Sequence, residues 1–101
     1  MSPAKFAPLA RRDLQAAARW IARENPTAAR ALRLSVSIAA KRIGRYPLIG
    51  VSRPDLAREG YRFLTLTGFP YVMVYDSEAK PPLVLRVLHG ARDLDDALGG
   101  R

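Results

Sequence analysis

The side chains of this sequence that could do chemistry are mostly arginines. Seventeen basic residues stand against 9 acidic ones, for a net charge of +8, and only Lys5, Lys41 and Lys80 are lysines. Such a surface attracts phosphate groups or an acidic protein partner. The chain has no cysteine, which excludes thiolate nucleophiles, disulfides and thiolate zinc sites. With His89 as the single histidine, we expect neither a metal site nor a cofactor.

Arg62 and Arg86 each interrupt a predicted apolar strand, and they could point from the same face of a sheet. Burying an arginine costs several kcal/mol unless it is paired, so each should reach solvent or an acid such as Asp76 or Glu59. Two interpretations stay open for both residues. They bind a partner, or they form structural ion pairs.

His89 ends the last predicted strand and is followed by Gly90. A lone histidine with no obvious carboxylate partner is more often structural than catalytic. Gly90 permits a bend that would aim Arg92 away from the sheet, where Arg92 could also pair locally with Asp93. This segment offers no nucleophile.

Tyr71 and Tyr75 lie at strand positions where aromatic side chains usually pack across a ladder. If they instead lined an open sheet face beside the strand arginines, they would form a stacking surface for bases or for a partner's side chains. The sequence leaves both alternatives open.

Two predicted helices must position these residues. Apolar side chains recur at helical spacing from Leu9 to about Glu24 and again from Thr27 to about Arg45. Asn25-Pro26 between them favours a tight turn, since the asparagine can cap the second helix and the proline suits its first turn. On the basic side of that helix, Leu34 and Ile38 lie one turn apart. They predict either a helix packed on both sides or an exposed apolar strip that binds a partner.

Strand patterns follow the helices. After a connecting loop over residues 46–60, β-type composition predicts strands over residues 61–67, 69–76 and 83–89 that pair as an antiparallel meander. Strict alternation on the last strand would put one set of residues on each face: Leu83, Leu85 and Val87 on the first, and Val84, Arg86 and Leu88 on the second. The second face, two-thirds apolar, would suit an acidic amphipathic segment.

The two ends of the chain carry weaker patterns. Residues 1–7 could form a short edge strand and residues 93–98 a short helix. The sequence thus predicts a single α+β domain over residues 1–101, with a helix hairpin packed on an antiparallel sheet in the order β-α-α-β-β-β. No apolar run approaches the ~20 residues that cross a bilayer. We therefore expect a cytoplasmic protein with no membrane association.

The segment Arg86-Val87-Leu88-His89-Gly90-Ala91-Arg92-Asp93 closely resembles the C-terminal strand signature of ParE-like toxins. The resemblance covers nearly the whole chain in the right order, through Asp13-Leu14, Trp20-Ile21-Ala22, Asn25-Pro26-Thr27-Ala28-Ala29, Tyr46-Pro47-Leu48-Ile49-Gly50 and Gly60-Tyr61-Arg62. It implies the RelE/ParE fold, which agrees with the order of elements derived above.

The resemblance implies the toxin of a type II toxin–antitoxin, or plasmid stabilisation, system. ParE-like members are gyrase poisons that act by binding, whereas RelE-like members are ribosome-dependent endoribonucleases that cut messenger RNA. Both are neutralised by an antitoxin whose C-terminal segment wraps around the toxin. We expect the ParE branch, with DNA gyrase as target, a ParD-like acidic antitoxin as partner and no small-molecule substrate.

The alternative is a RelE-like nuclease that uses Arg62, Arg86 and His89, with the ribosome and messenger RNA as partners. Cleavage of RNA by its own 2′-hydroxyl needs a base, an acid and cationic stabilisation of the phosphorane, and only the cations are plentiful in this sequence. The acids at the chain's end, from Asp93 to Asp96, would repel RNA. The sequence therefore favours a protein without catalytic residues.

Eight residues are predicted to bind partners. They are Arg62, Arg86, His89, Arg92, Leu34, Ile38, Tyr71 and Tyr75.

Overall fold

The computed structural model describes residues 2–90, 92 and 93. A helix hairpin packs on a five-stranded sheet, which confirms the predicted α+β fold. The elements are β1 (Lys5–Phe6), α1 (Pro8–Ala22), α2 (Pro26–Arg45), β2 (Val51–Ser52), β3 (Tyr61–Thr65), β4 (Tyr71–Asp76) and β5 (Leu83–His89). The predicted helix over residues 93–98 falls almost entirely outside the described residues.

The turn between the helices follows the sequence prediction. The Asn25 side chain accepts a hydrogen bond from the backbone N–H of Ala28 at 3.0 Å, and Pro26 occupies the first turn of α2. This cap satisfies one of the backbone donors that a helix start leaves without an intrahelical partner. The prediction of a tight helix hairpin is therefore confirmed.

The sheet has the strand order β1-β5-β4-β3-β2. The predicted meander β3-β4-β5 is antiparallel, and β2 adds to β3 in the same sense. β1 pairs in parallel with β5, so the sheet is mixed and its last strand lies in the interior. β2 lies within the region predicted as a loop, and it covers β3 only at Arg62 and Phe63.

Two clusters of buried apolar residues hold the layers together. The larger lies between the helices and the sheet and includes Leu32, Ile43 and Met73. The smaller, built on Phe63 and the residues Val74 and Leu88, lies on the other face under Leu56 and Ala57 of the 53–60 segment. The sheet face away from the helices is thus partly covered by its own loop.

A β-bulge in β5 changes which residues share a face. Tyr75 of β4 pairs with Val84 and Val74 pairs with Arg86, so Leu85 is an extra residue. Val84 and Val87 consequently both pack in the helix-side cluster. The prediction of strict alternation along this strand is therefore wrong.

Neither helix in the described part of the chain is both long and apolar enough to span a bilayer.

Candidate partner-binding surfaces

Leu34 and Ile38 border a groove between the outer side of α2 and strand β3. They are 62% and 50% exposed, which makes them among the most exposed large apolar side chains that the structure describes. We call this depression of about 270 Å³ the α2–β3 groove, and its lining is Ala31, Leu34, Ser35, Ile38, Ala39, Arg42, Leu64, Thr65, Leu66 and Thr67. Of the two interpretations of Leu34 and Ile38, the exposed strip is therefore the one observed.

The groove joins apolar surface to a free strand edge. Because β2 ends its pairing at Phe63, β3 has no further strand beside Leu64 and Thr65 among the described residues. An unpaired strand edge can accept an added strand through its backbone groups. Arg42 on the rim adds positive charge. The surface thus suits an apolar segment with acidic flanks.

A second group, the β5-end cluster, gathers Tyr71, His89, Arg92 and Asp93. The rings of Tyr71 and His89 meet edge to face with centroids 5.5 Å apart. The backbone N–H of Arg92 donates to Nδ1 of His89 at 3.3 Å, and the His89 backbone N–H donates to the Asp93 carboxylate at 3.3 Å. The imidazole is therefore held by its own turn.

Arg92 and Asp93 in this cluster form an ion pair, with 3.2 Å between Nε and Oδ1. Burial alone would raise the pKa of Asp93, but the Arg92 guanidinium and the His89 backbone N–H outweigh it, and the net pKa is lowered. The same contact raises the pKa of Arg92. The sequence interpretation of a local Arg92–Asp93 pair is confirmed, and Arg92 keeps 61% of its side chain exposed.

Arg86 is engaged by Asp13, on helix α1. Its Nε and Nη2 donate to the two carboxylate oxygens at 2.7 and 3.0 Å, and the backbone N–H of Val87 donates to the same carboxylate at 3.0 Å. This two-pronged contact raises the pKa of Arg86. Asp13 thereby ties α1 to the edge of β5 beyond the end of β1. The structural ion pair was one of the two interpretations, although its partner is not Asp76 or Glu59.

Arg62 lies on β3, on the other side of β4 from Arg86, and braces the turn after α2. It donates to the carbonyl oxygens of Leu48 at 3.2 Å and Gly50 at 2.7 Å. The prediction that Arg62 and Arg86 share a sheet face is wrong. Their partners on β4 are the adjacent residues Tyr75 and Val74, which pack in different clusters on the two faces.

Tyr75 supports the same turn from within the core. Its hydroxyl accepts from the Gly50 backbone N–H at 2.9 Å and donates to the Pro47 carbonyl at 2.6 Å. Burial raises the pKa of this phenol. Position 50 needs glycine because a Cβ there would lie 2.8 Å from the Tyr75 ring.

Tyr75 is fully buried and Tyr71 is 6% exposed, both in the helix-side cluster. Of the two alternatives for these tyrosines, packing is therefore the one observed, and they form no stacking surface on an open sheet face. They pack in the core because their strand register turns them toward the helices, which the sequence alone left undecided.

The three residues of the nuclease alternative are not brought together. Arg62 pairs with Tyr75 of β4, whereas His89 pairs with Tyr71 of the same strand. Tyr71 and Tyr75 are four residues apart, which corresponds to about 13 Å at the usual rise of a strand. Arg86 meanwhile is bound by Asp13.

Sequence reasoning missed Asp13 and Trp20 as members of the site. Trp20 is 63% exposed, and the Arg23 guanidinium lies 5.1 Å from the centroid of its ring. With Asp13, Tyr71 and Arg92 it lines a depression of about 360 Å³ beside the β5-end cluster. Two features of the sequence could have pointed to Trp20. It lies at the border of the apolar stripe of the first helix, and it belongs to the segment Trp20-Ile21-Ala22, which resembles ParE-like toxins.

Comparison with known proteins supports the resemblance. The family model described as "ParE toxin of type II toxin-antitoxin system, parDE" matches residues 4–94. A solved structure of the chromosomal ParDE system from P. aeruginosa is similar with a TM-score of 0.72 and 23% identity, over 88% of this chain and 96% of that chain, and this likeness shows the fold. A search among curated proteins gave no match. Since the family model spans most of the sequence, the chain belongs to the ParE family of toxins of type II toxin–antitoxin systems.

Proposed function

We propose that this protein inhibits DNA gyrase in the cytoplasm by protein–protein binding, without a catalytic step of its own, and is neutralised by a ParD-like acidic antitoxin. Membership of the ParE family supports the target. The proposal of an acidic antitoxin rests on the exposed side chains of Leu34 and Ile38 over the α2–β3 groove, in a protein with a net charge of +8.

The groove fits an acidic peptide segment that carries apolar side chains. Burial of two large aliphatic side chains supplies about 1.5–3 kcal/mol each. The basic surroundings steer an acidic chain toward it and speed the encounter. The free edge of β3 from Leu64 onward offers backbone groups to an extended segment of the same partner. An acidic segment with apolar side chains at alternate positions meets all three features.

The β5-end cluster and Trp20 are proposed to contact the target. Arg92 and Trp20 are both largely exposed, and tryptophan and arginine are enriched among residues that dominate protein interfaces. His89, held by its own turn, positions the Arg92 backbone. Arg86 contributes indirectly, since it fixes β5 to α1 through Asp13. Arg62 likewise acts through the turn that it braces.

The target is tested with a gyrase supercoiling and cleavage assay, run beside a messenger RNA cleavage assay on stalled ribosomes with the same sample. We expect linear DNA to accumulate while RNA stays intact. Folded protein that leaves gyrase active contradicts the proposal. Cut RNA with unaffected gyrase would establish the nuclease alternative.

The antitoxin site is tested with the small acidic protein encoded by the neighbouring reading frame as the probe. The double variant Leu34→Gln/Ile38→Gln should weaken its binding about 100-fold, which corresponds to about 2.8 kcal/mol. The matched control is Leu48→Gln/Val51→Gln, which removes two equally exposed aliphatic side chains elsewhere on the surface. Equal losses in both variants would contradict the groove as the site.

The contact with the target is tested separately. Arg92→Ala and Trp20→Ala should each weaken gyrase inhibition about 10-fold while antitoxin affinity stays unchanged. A variant with Arg53→Ala, exposed on the loop after β2, serves as control and should inhibit like the parent protein. Loss of antitoxin binding together with inhibition would mean that one surface serves both partners.

A further inference from the structure

The net positive charge of this protein lies entirely in its helical half. Residues 1–45 contain ten of the 17 basic residues and two of the 9 acidic residues, which accounts for the whole +8. Residues 46–101 contain seven basic and seven acidic residues. Since β1, α1 and α2 make up the first part, the charge is concentrated on the helix hairpin. Packing does not require such a distribution, because net charge is not a determinant of fold.

Among the described residues, no arginine of the two helices forms an ion pair with an acid. Of the two acids in the helical half, Asp13 is bound by Arg86, and Glu24 lies just beyond the end of α1. The ion pairs found within residues 2–90, 92 and 93 involve no helix arginine, being Arg53–Asp55, Arg86–Asp13 and Arg92–Asp93. The positive field of the hairpin is therefore available to an external anion.

Several of these cations line up along the hairpin. A shallow groove of about 540 Å³ between the helices is lined by Gln15, Ala18, Arg19, Ala22, Pro26, Ala29, Arg30 and Arg33. Arg33 also borders a neighbouring depression together with Ser37 and Lys41. Residues 30, 33, 37 and 41 fall on one side of α2 and extend about 16 Å along its axis. We call Arg19, Arg30, Arg33 and Lys41 the helical basic face.

The lining of this face identifies the kind of anion. Arginine forks bind phosphate oxygens in pairs, and the alanines between them allow a close approach of a backbone. The groove between the helices contains no aromatic or large aliphatic residue among those described. It therefore lacks the anchors typical of a protein interface and the stacking platforms typical of a single-strand site. A double-stranded nucleic acid can bind through its phosphates alone, without such anchors or stacking platforms on the protein.

We propose that the helical basic face binds the phosphate backbone of duplex DNA. The choice of DNA rests on the proposed gyrase target, since that enzyme acts on duplex DNA. The toxin then holds both the enzyme, through Arg92 and Trp20, and its DNA substrate, through the hairpin. This arrangement gives the arginine excess of the helices a role that antitoxin binding at the α2–β3 groove does not supply.

The experiment measures binding of the full chain to a short labelled DNA duplex over a range of salt concentrations, with no gyrase present. If the face contacts three or four phosphates, the logarithm of the association constant plotted against the logarithm of the salt concentration should have a slope of about −3. The triple variant Arg19→Gln/Arg30→Gln/Arg33→Gln should flatten that slope by about 2 to 3. A triple lysine variant at these positions should keep most of the slope, which excludes a folding defect as the cause.

The matched control removes the same charge from the sheet half, as Arg53→Gln/Arg58→Gln/Lys80→Gln, and should bind DNA like the parent protein. Equal losses in the two triple variants would overturn the proposal, because net charge alone would then explain binding. Tighter binding of an RNA duplex of the same length would also overturn it. So would binding of polyglutamate as tight as that of DNA and sensitive to the same variant, since the face would then serve an acidic protein.

The two proposals fail separately. Protein that binds DNA but leaves gyrase active contradicts the proposed target and not the DNA-binding face. Protein that inhibits gyrase but does not bind duplex DNA on its own contradicts the DNA-binding face and not the proposed target.

Discussion

At the α2–β3 groove, Leu34 and Ile38 lie largely exposed beside a strand edge with no neighbour, whereas at the end of β5 the charged side chains already bind one another. Asp13 satisfies Arg86, and Asp93 satisfies Arg92. Arg86 thus ties β5 to α1 and Arg92 is paired within its own turn, whereas Leu34 and Ile38 keep half or more of their surface exposed. Existing bonds and exposure, more than residue type, therefore separate the structural role of Arg86 from the exposed surface at the groove.

The largest effect is expected at the ion pair between α1 and β5. Asp13→Ala leaves the partly buried Arg86 guanidinium and the Val87 N–H without their acceptor, and should lower the free energy of unfolding by about 2–3 kcal/mol. Urea denaturation measures this. The double variant Asp13→Leu/Arg86→Met should recover much of the loss, because no charge is then left unpaired. If Asp13→Ala proved as stable as the parent protein, this ion pair would have no structural role.

A smaller loss is expected at the turn after α2. Tyr75→Phe removes the hydroxyl that accepts from Gly50 and donates to Pro47, which should cost about 1–2 kcal/mol of unfolding free energy. Thermal and urea unfolding both report it. The same change at Tyr61, whose ring is only partly buried, is the control and should have little effect. If both variants unfold alike, the hydroxyl network does not fix the turn.

These structural roles show what sequence could and could not reveal. The Asn25-Pro26 turn and the three long strands follow from local residue preferences, so they were predictable. The Asp13–Arg86 pair joins residues 73 positions apart, and no local pattern encodes such a contact. The bulge at Leu85 likewise depends on pairing with β4 and reverses the facing expected from alternation. Exposure of Leu34 and Ile38 depends on where β3 lies.

Changes in the groove should scarcely affect stability, which sharpens the contrast with the β5 end. Leu34→Gln/Ile38→Gln should shift the free energy of unfolding by no more than about 0.5 kcal/mol, since both side chains are already largely in water. Chemical denaturation of the antitoxin-free protein gives this value. A loss above about 2 kcal/mol would show that these residues belong to the core.

The smallest effect concerns acid pH. The pKa of Asp93 is lowered in the folded protein, so its ionised form contributes stability above the ordinary value of 3.8, and this contribution is lost as the pH falls through the lowered value. The parent protein should therefore be slightly more stable than Asp93→Asn at pH 7 and equal to it at strongly acid pH. Thermal melts across this range test it. A difference that grows on acidification would contradict the lowered pKa.

The parallel pairing of β1 with β5 also constrains when the protein can fold. Residues Lys5 and Phe6 pair with Leu83 and Val84, so the sheet joins the first strand of the chain to the last. A nascent chain must be synthesised through β5 before the interior strand of its sheet exists, and contacts this distant in sequence make folding slow. The β5-end cluster therefore cannot form before β5 has been synthesised, and the α2–β3 groove, which borders the same sheet, is completed only when that sheet closes around β5.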